Sequence, residues 1–497
     1  MTSHMTLTYS IIIAIEIEYS TMYTLAHAAL TNLRMDHPIG KFVAVRMAMK
    51  FGTASTHPLT RTAFTRELGV PPNKALKPLG ELEARGIIES FRQHWHPGPP
   101  HHCFRFNPET TWPNGYNELA SSPHRSKIQQ LLEYNEVPPN RRRHQLTIQQ
   151  RVLLMVLLAH ASPAGVVTSI TRAELATQTG ISHPRLRYEC KNLKRYGYLR
   201  STVDGGNFDR LLGRRSGAYF IELHHQTFGE DKPGGLTVIY PALQHPIARA
   251  RRNSLERQRI ANSSQPSNDL CRPDEDLIEL IGRKPQFAEL HYLAWVIDEL
   301  ASATLRNPEL LTYPPPAHLL ENLYAEVADT LPRAEGRGVD YREMPIGYAG
   351  QIQSAWKRVS LDDAPFDLAL IGGDRRSRAQ AFLVACIVQQ ATNAVNILSR
   401  TGESWKQSED YLILPQPDGA LNSRRIAVET YTSDADRTPH RVYVLLASKF
   451  RPDGTDATPE AIEAIANSLL EDTSLRTPPL VDPTLKTPPS AEWKPAT

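Results

Sequence analysis

The chain has 497 residues, 40% of them hydrophobic, which is enough for two to four domains that each bury a core of their own. Its four cysteines have no CxxC spacing, which argues against a disulfide framework or a cysteine zinc site and fits a reducing cytoplasm. The apolar run 11–15 is followed by Glu16 and Glu18 and has no basic segment before it. It therefore predicts neither a signal peptide nor a membrane span.

The charges are divided unevenly between the two halves of the chain. Residues 1–260 contain 33 Lys and Arg against 19 Asp and Glu, whereas residues 261–497 contain 23 against 34. Because a basic surface attracts polyanions, this division favours a nucleic acid as the partner of the first half. A solvated basic face is the alternative.

The first predicted module, residues 38–110, follows an N-terminal extension of residues 1–37. Its pattern predicts an apolar helix over Lys41–Met49, a short helix, a turn at Gly69 and a further helix that contains Pro78. Proline inside a helix removes a hydrogen bond and should kink it. Two strands and the proline-rich loop between them complete the module: Ile87–Arg92, Cys103–Phe106 and Trp95–Pro100.

Residues 111–145 are expected to form a linker with one helix over His124–Tyr134. The basic run Arg141–Arg143 follows a pair of prolines. It favours either a phosphate clamp or a solvated linker, and the sequence leaves both interpretations open.

The second predicted module, residues 146–225, has the clearest signals for helix ends. Thr171 precedes an apolar-periodic helix, and Gly180 breaks the chain at a tight turn. Ser182 and Pro184 then predict a capped start of the next helix.

The helix that starts after Gly180 has one apolar and one basic face. Leu186, Cys190 and Leu193 recur at i, i+4 and i+7, which places them on one inward stripe and leaves the basic residues outside. Gly197 ends the helix. A hairpin follows, with two strands and a polar loop that ends in two arginines: Tyr198–Thr202, Ala218–Leu223 and Asp204–Gly217.

The two modules align with each other without a gap when Leu59 is placed on Ile170. The matched segments include Leu59-Thr60-Arg61 with Ile170-Thr171-Arg172, Gly69-Val70 with Gly180-Ile181, and Gly86-Ile87 with Gly197-Tyr198. Three helices and a hairpin in each copy indicate a duplicated unit. Over residues 40–225 the modules resemble winged helix-turn-helix domains, and their tandem arrangement resembles the paired winged helices of plasmid replication initiators. The resemblance implies duplex DNA binding, with one helix of each module in the major groove.

The expected DNA contacts are side chains that can pair with base edges or neutralise phosphates. In the second module they are Ser182, His183, Arg185, Arg187, Tyr188, Lys191, Asn192 and Arg195 on the helix, with Arg214 and Arg215 on the wing. In the first module they are Asn73, Lys74 and Lys77. Because Glu81 and Glu83 occur there where the second module has Asn192 and Lys194, we expect the first module to bind DNA more weakly or to serve only in packing.

The remaining chain is predicted to contain a basic helix and linker (226–270), a mixed α/β domain (271–472) and a disordered tail (473–497). The predicted helices of this domain are Asp276–Ile281, Gln286–Thr304, Ala317–Leu331 and Arg376–Ser399. The predicted strands are Phe366–Leu370, Tyr411–Leu414, Arg425–Tyr431 and Arg441–Ala447.

No nucleophile triad, carboxylate pair or phosphate loop stands out, so the sequence favours a protein that is not an enzyme and needs no metal or cofactor. The predicted fold class is α+β: two tandem winged helix-turn-helix domains followed by a mixed α/β domain. The first hypothesis is a sequence-specific transcription regulator of a bacterial mobile element, cytoplasmic and nucleoid-associated, which binds double-stranded DNA as a homodimer through the C-terminal domain. The alternatives are a replication initiator that binds origin repeats with both modules, and a protein-interaction scaffold.

Overall fold

The computed structural model of the chain is a mixed helix and sheet structure, as the predicted α+β class requires. It describes residues 26–51, 59–70, 72–93, 101–106, 122–133, 146–208, 213–228, 234–240, 245–248, 251–252, 255, 276–277, 287–306, 316–330, 344, 348–349, 352–353, 374–399, 410–415, 426–432 and 441–444. Four sequence predictions fall outside these residues: the loop Trp95–Pro100, the basic run Arg141–Arg143, the strand Phe366–Leu370 and the tail 473–497.

The first unit contains three helices and a three-stranded antiparallel sheet. Its elements are α1 (Pro38–Phe51), β1 (Leu59–Thr60), α2 (Arg61–Glu67), α3 (Pro72–Ala84), β2 (Ile88–Gln93) and β3 (His101–Phe106). The sheet order is β1-β3-β2, with Leu59 opposite Phe104 and Ile88 opposite Phe106. Helix α3 contains Pro78, whose side chain is buried.

The second unit has the same architecture with a longer hairpin. Its elements are α5 (Ile148–Ala159), β4 (Val166–Val167), α6 (Arg172–Thr179), α7 (His183–Arg195), β5 (Leu199–Val203), β6 (Gly206–Phe208), β7 (Gly213–Arg215) and β8 (Ala218–Ile221). Helix α4 (Arg125–Glu133) precedes it, at the position predicted for the linker helix. The sheet order β4-β8-β5 repeats the order of the first unit.

The alignment of the two modules is retained in the backbone. Helices α2 and α3 begin at Arg61 and Pro72, and α6 and α7 begin at the positions aligned with them, Arg172 and His183. The paired glycines also share one conformation: φ is 63° at Gly69 and 67° at Gly180, and it is 72° at Gly86 and 81° at Gly197. A positive φ strains residues other than glycine, so these four positions define the same two turns in each unit.

Helix caps explain why α5 and α6 begin where they do. Thr147 and Gln150 form a capping box at α5, and Thr171 and Glu174 form one at α6, so that the first free amides of both helices are satisfied. The predicted cap at α7 is different. Ser182 occupies the cap position, but its hydroxyl makes no capping hydrogen bond.

The buried guanidinium of Arg151 joins the two units. Arg151 is 1% exposed and lies on α5; its Nε donates to the carbonyl of Leu131 at 2.6 Å and its Nη2 to that of Leu132 at 2.7 Å. Both carbonyls belong to the last turn of α4, where helix carbonyls lack intrahelical partners. The guanidinium also lies over the ring of Phe42 on α1, 4.5 Å from its centre. Burying this charge is tolerated because its donors have acceptors.

The C-terminal domain packs three long helices beside a mixed sheet. The helices are α8 (Phe287–Leu305), α9 (Ala317–Thr330) and α10 (Arg375–Ser399), and the strands are β9 (Gly234–Tyr240), β10 (Asp410–Ile413), β11 (Ile426–Thr432) and β12 (Arg441–Val444). The sheet order is β10-β11-β9-β12, and only the pairing of β12 with β9 is parallel. Helix α10 is long and apolar enough to cross a membrane, but 78% of its apolar window is buried, as in the core helix of a soluble protein.

Strand β9 changes the domain boundary that the sequence suggested. The sequence assigned residues 226–270 to a basic helix and linker, yet Gly234–Tyr240 pairs with β11 along its whole length and with β12 on its other edge. The segment LTVIY is rich in β-branched and aromatic residues, which fit a buried sheet position better than a linker. It therefore belongs to the sheet of the C-terminal domain.

Comparing Gly180→Ala with Gly197→Ala should separate two contributions to the free energy of unfolding: the strain of a left-handed backbone and the overlap with Met35. A Cβ on Gly180 would lie 2.6 Å from the carbonyl oxygen of Met35, whereas one on Gly197 would have no neighbour closer than His225 Cδ2 at 3.7 Å. Both alanines pay for a left-handed backbone, about 1–2 kcal/mol, but only Gly180→Ala also overpacks against backbone, for about 1–3 kcal/mol more. Urea unfolding measures both free energies of unfolding, and equal losses would contradict this packing.

Lys41 should make stability depend on pH. Its side chain is fully buried on α1, with Nζ donating to the carbonyl of Leu33, and burial lowers its pKa from 10.5 to about 7. Above pH 7 and up to about pH 10 the unfolded chain keeps a proton that the folded chain has released, so stability rises with pH in this window. Below pH 7 both states are protonated, and the folded state bears the full cost of the buried charge.

Lys41→Met serves as the reference, because methionine has a similar size but no group that titrates. It lacks the bond to Leu33 at every pH. We expect the free energy of unfolding of the wild type, relative to that of the variant, to increase by a few kcal/mol between pH 6 and pH 9. The expected slope above pH 7 is about 1.4 kcal/mol for each pH unit. Urea titrations at both pH values measure it, and a flat or falling difference would refute the assignment.

Candidate functional site

Helix α7 presents one face to the core and the other to solvent. Leu186 and Leu193 are buried and Cys190 is half-buried, as the apolar stripe predicted. Seven of the eight predicted contacts on and before this helix are exposed: Ser182, His183, Arg185, Arg187, Tyr188, Lys191 and Arg195. Tyr188 is 53% exposed and lies among these cations.

The cations of this face are held in different ways. Arg185 lies over the ring of Tyr188, 4.8 Å from its centre, and Arg195 donates through Nη2 to the hydroxyl of Tyr196 at 2.8 Å. Arg187 and Lys191 form no ion pair with any acid in the described part of the chain. Such cations are suited to neutralising an anionic partner, because binding would break no existing pair.

Asn192 is the exception, and its prediction as a DNA contact is wrong. It is 7% exposed, and its Nδ2 lies 3.4 Å from Oε2 of Glu189, which is itself fully buried. The buried stripe of α7 is wider than the apolar residues show, since Glu189 is three residues after Leu186 and four before Leu193. This spacing was the only sequence signal that Glu189 is buried. It was overlooked because a charged residue is normally expected on the surface.

Glu189 is surrounded by polar partners. Its Oε2 accepts from Nε2 of Gln150 on α5 at 2.8 Å, and its Oε1 lies 2.6 Å from Nη2 of Arg185. The buried carboxylate therefore connects the inner surface of α7 with an arginine on its outer surface.

The segment predicted to be a wing contains a second pair of strands rather than the polar loop that the sequence suggested. Strands β6 and β7 pair antiparallel, with Gly206 opposite Arg215 and Phe208 opposite Gly213. A Cβ on Gly205 would overlap both the carbonyl oxygen of Arg215 and the amide nitrogen of Gly217. Glycine is thus required where the β5–β8 sheet passes into this hairpin.

The two wing arginines differ in what the structure shows of them. Arg214 lies on β7, opposite Asn207, and its side chain is outside the described part. Arg215 is half-buried at the base of the hairpin, and it lies close enough to Tyr292 of α8 for its charge to influence the pKa of that tyrosine. Burial raises the pKa of Tyr292 to about 12, and the positive charge of Arg215 partly opposes that rise. Arg215 is therefore less accessible than predicted.

One ion pair joins the wing to the start of α6. Arg172 binds the carboxylate of Asp204, which directly precedes the glycine at the base of the hairpin. The pair is only partly shielded from solvent, so we assign it a role in orienting the wing rather than a large share of stability.

The first unit carries a weaker version of the same face. Lys74 and Lys77 are exposed on α3, and Asn73 lies on that helix with its side chain outside the described part. Glu81, one turn further on, accepts from the amide of Asp36 at 2.5 Å and pairs with Arg85 at 3.3 Å. Acidic residues thus take up part of the face that is basic in the second unit.

Neither cysteine chemistry nor a metal centre emerges near α7. Burial raises the pKa of the Cys190 thiol to about 12, so it is a poor nucleophile at neutral pH. In the described ranges, no three His, Cys, Asp or Glu side chains lie close enough together to hold a metal ion.

Comparison with protein families, with curated proteins and with solved structures gives no match.

Proposed function

We propose that the chain is a sequence-specific regulator of transcription that binds double-stranded DNA, with α7 of the second unit in the major groove. In this proposal each unit is a winged helix-turn-helix domain: α5, α6 and α7 carry the helix-turn-helix, and β6 and β7 form the wing. The observation that carries the proposal is the outer face of α7, where exposed cations surround Tyr188.

The dimensions of α7 agree with this use. Its 13 residues span about 20 Å, and a major groove about 12 Å wide admits one helix. The N-terminal end of α7 carries Ser182, whose hydroxyl makes no capping bond, so that it can donate to a phosphate. The basic excess of residues 1–260 supplies the long-range attraction.

A replication initiator is the second candidate, and the packing of the two units favours it. Arg151 joins the second unit to α1 of the first through buried groups, and Gly180 lies against the segment that leads into α1, so α3 and α7 keep one spacing. A fixed spacing suits two segments of one duplex, as in repeated origin sites. The C-terminal domain would then supply dimerisation or partner contacts in either case, in a cytoplasmic protein.

Selection from a random duplex library tests the proposal. A regulator should enrich one site, and its footprint should form an inverted repeat beside a promoter; an initiator should protect direct repeats in an AT-rich region. A chain that enriches no sequence and shows no dependence of binding on salt would contradict both candidates and favour a protein-interaction role.

The double variant Arg187→Ala, Lys191→Ala should relax specificity. Each lost base contact should cost about 1–3 kcal/mol on the selected site and much less on random duplex. Arg214→Ala should instead weaken binding on all sequences and reduce the slope of log K against log salt by about 1, because it removes a phosphate contact on the wing. Fluorescence anisotropy at several salt concentrations measures both.

Arg306→Ala is the control, since it removes a positive charge in the C-terminal half. It should leave specificity unchanged. Equal losses on selected and random DNA from the double variant would show that α7 does not read bases.

A further inference from the structure

Glu189 is a buried carboxylate at a position of α7 where the equivalent residue of the first unit is apolar. The alignment of the two units places Pro78 at the equivalent position of α3, and Pro78 is also buried. Gln150, the partner of Glu189, has the half-buried Ile39 as its equivalent. The same three-helix frame therefore closes with apolar residues at both positions. A buried carboxylate is costly to keep, so its presence in the second unit calls for another explanation.

The two carboxylate oxygens of Glu189 differ: Oε2 is hydrogen-bonded toward the core, whereas Oε1 makes no hydrogen bond and lies beside an arginine on the outer side of the helix. Toward the core, Oε2 accepts from Gln150 at 2.8 Å and lies 3.4 Å from Nδ2 of Asn192. Toward solvent, Oε1 lies 2.6 Å from Nη2 of Arg185. The inner bonds hold the carboxylate in place, and its charge holds the Arg185 guanidinium near it through an ion pair.

Arg185 is thereby held at the surface without being covered. Its side chain is 51% exposed, the ion pair restrains it from below, and the ring of Tyr188 supports its guanidinium at 4.8 Å. A free arginine loses rotamer entropy when it binds, and restraint before binding reduces that loss. The fork of donors that remains matches the O6 and N7 acceptors of guanine in the major groove.

Resting on the proposed function, we propose that Glu189 is a positioning residue that presets Arg185 to read a guanine, and that this pair sets the specificity of the second unit at one base pair. Lys74, the equivalent of Arg185 in the first unit, has no such carboxylate beside it, because Pro78 takes its place. The first unit accordingly lacks this element of base readout.

The test compares the full chain with four variants by library selection and competition binding. Arg185→Ala identifies the base position that Arg185 reads, which should lose its guanine preference by on the order of 5- to 150-fold. Glu189→Gln keeps the size of the side chain and removes its charge; it should lower the preference at that same position by about tenfold, as expected for partial loss of a bidentate contact. Replacing that guanine with 7-deazaguanine, which lacks N7, should weaken binding of the wild type and have little effect on Glu189→Gln.

Two further variants separate positioning from folding. Glu222→Gln breaks the 2.8 Å pair with Arg200 in the same unit, both members of which are buried, and should lower the melting temperature without changing base preferences. The double variant Gln150→Leu, Glu189→Leu replaces the polar pair with apolar residues, as in the first unit. It also removes the Gln150 bond of the α5 capping box, a cost of about 1 kcal/mol, so it should still fold by circular dichroism and lose the guanine preference.

The proposal is overturned if Glu189→Gln retains the full guanine preference, or if it lowers the affinity for every sequence equally without changing the preference at that position. A wild-type chain that selects no sequence would instead overturn the proposed function, and this inference with it.

Discussion

A buried guanidinium at the junction of three helices constrains the N-terminal half of this protein. Arg151 comes from the second unit, the carbonyls that it satisfies belong to α4, and the ring that it covers belongs to the first unit. Arg46 of α1 adds a bond to the same Leu132 carbonyl at 3.1 Å. Because a buried charge without acceptors is far more costly than a buried apolar side chain, these groups must stay together.

The two units share a core and two glycine turns, yet their surfaces differ. The apolar cores and the two glycine turns are repeated, so each unit closes in the same way. The outer helices differ in charge: α7 is basic around Tyr188, whereas α3 carries two exposed lysines and Glu81, which pairs with Arg85 just after the helix. In the proposed function, this difference in surface charge would leave base reading to the second unit and a supporting role to the first.

Much of the fold could be predicted from the sequence, because its signals are local. Glycines with positive φ, threonine caps and the apolar periodicity placed the helices of both units to within a few residues. The buried positions of Glu189 and Asn192 could not be predicted in this way, because a carboxylate on α7 is buried only if Gln150 from another helix meets it. Strand β9 was missed for a related reason: its partners β11 and β12 lie near the other end of the C-terminal half. The segment LTVIY has the composition of a strand, but nothing near it in the sequence indicates the distant strands with which it pairs.

The placement of β9 determines how the chain can be divided. After β8 the backbone leaves the second unit and almost at once contributes an inner strand to a sheet whose other members come from the end of the sequence. Cutting the chain where the second unit ends would leave the C-terminal half intact, whereas cutting after residue 260, where the charge balance changes, would remove this strand and expose the unpaired edges of β11 and β12. Only residues 222–233 separate β8 from β9, so the sheet of the acidic half is tied closely along the chain to the basic half.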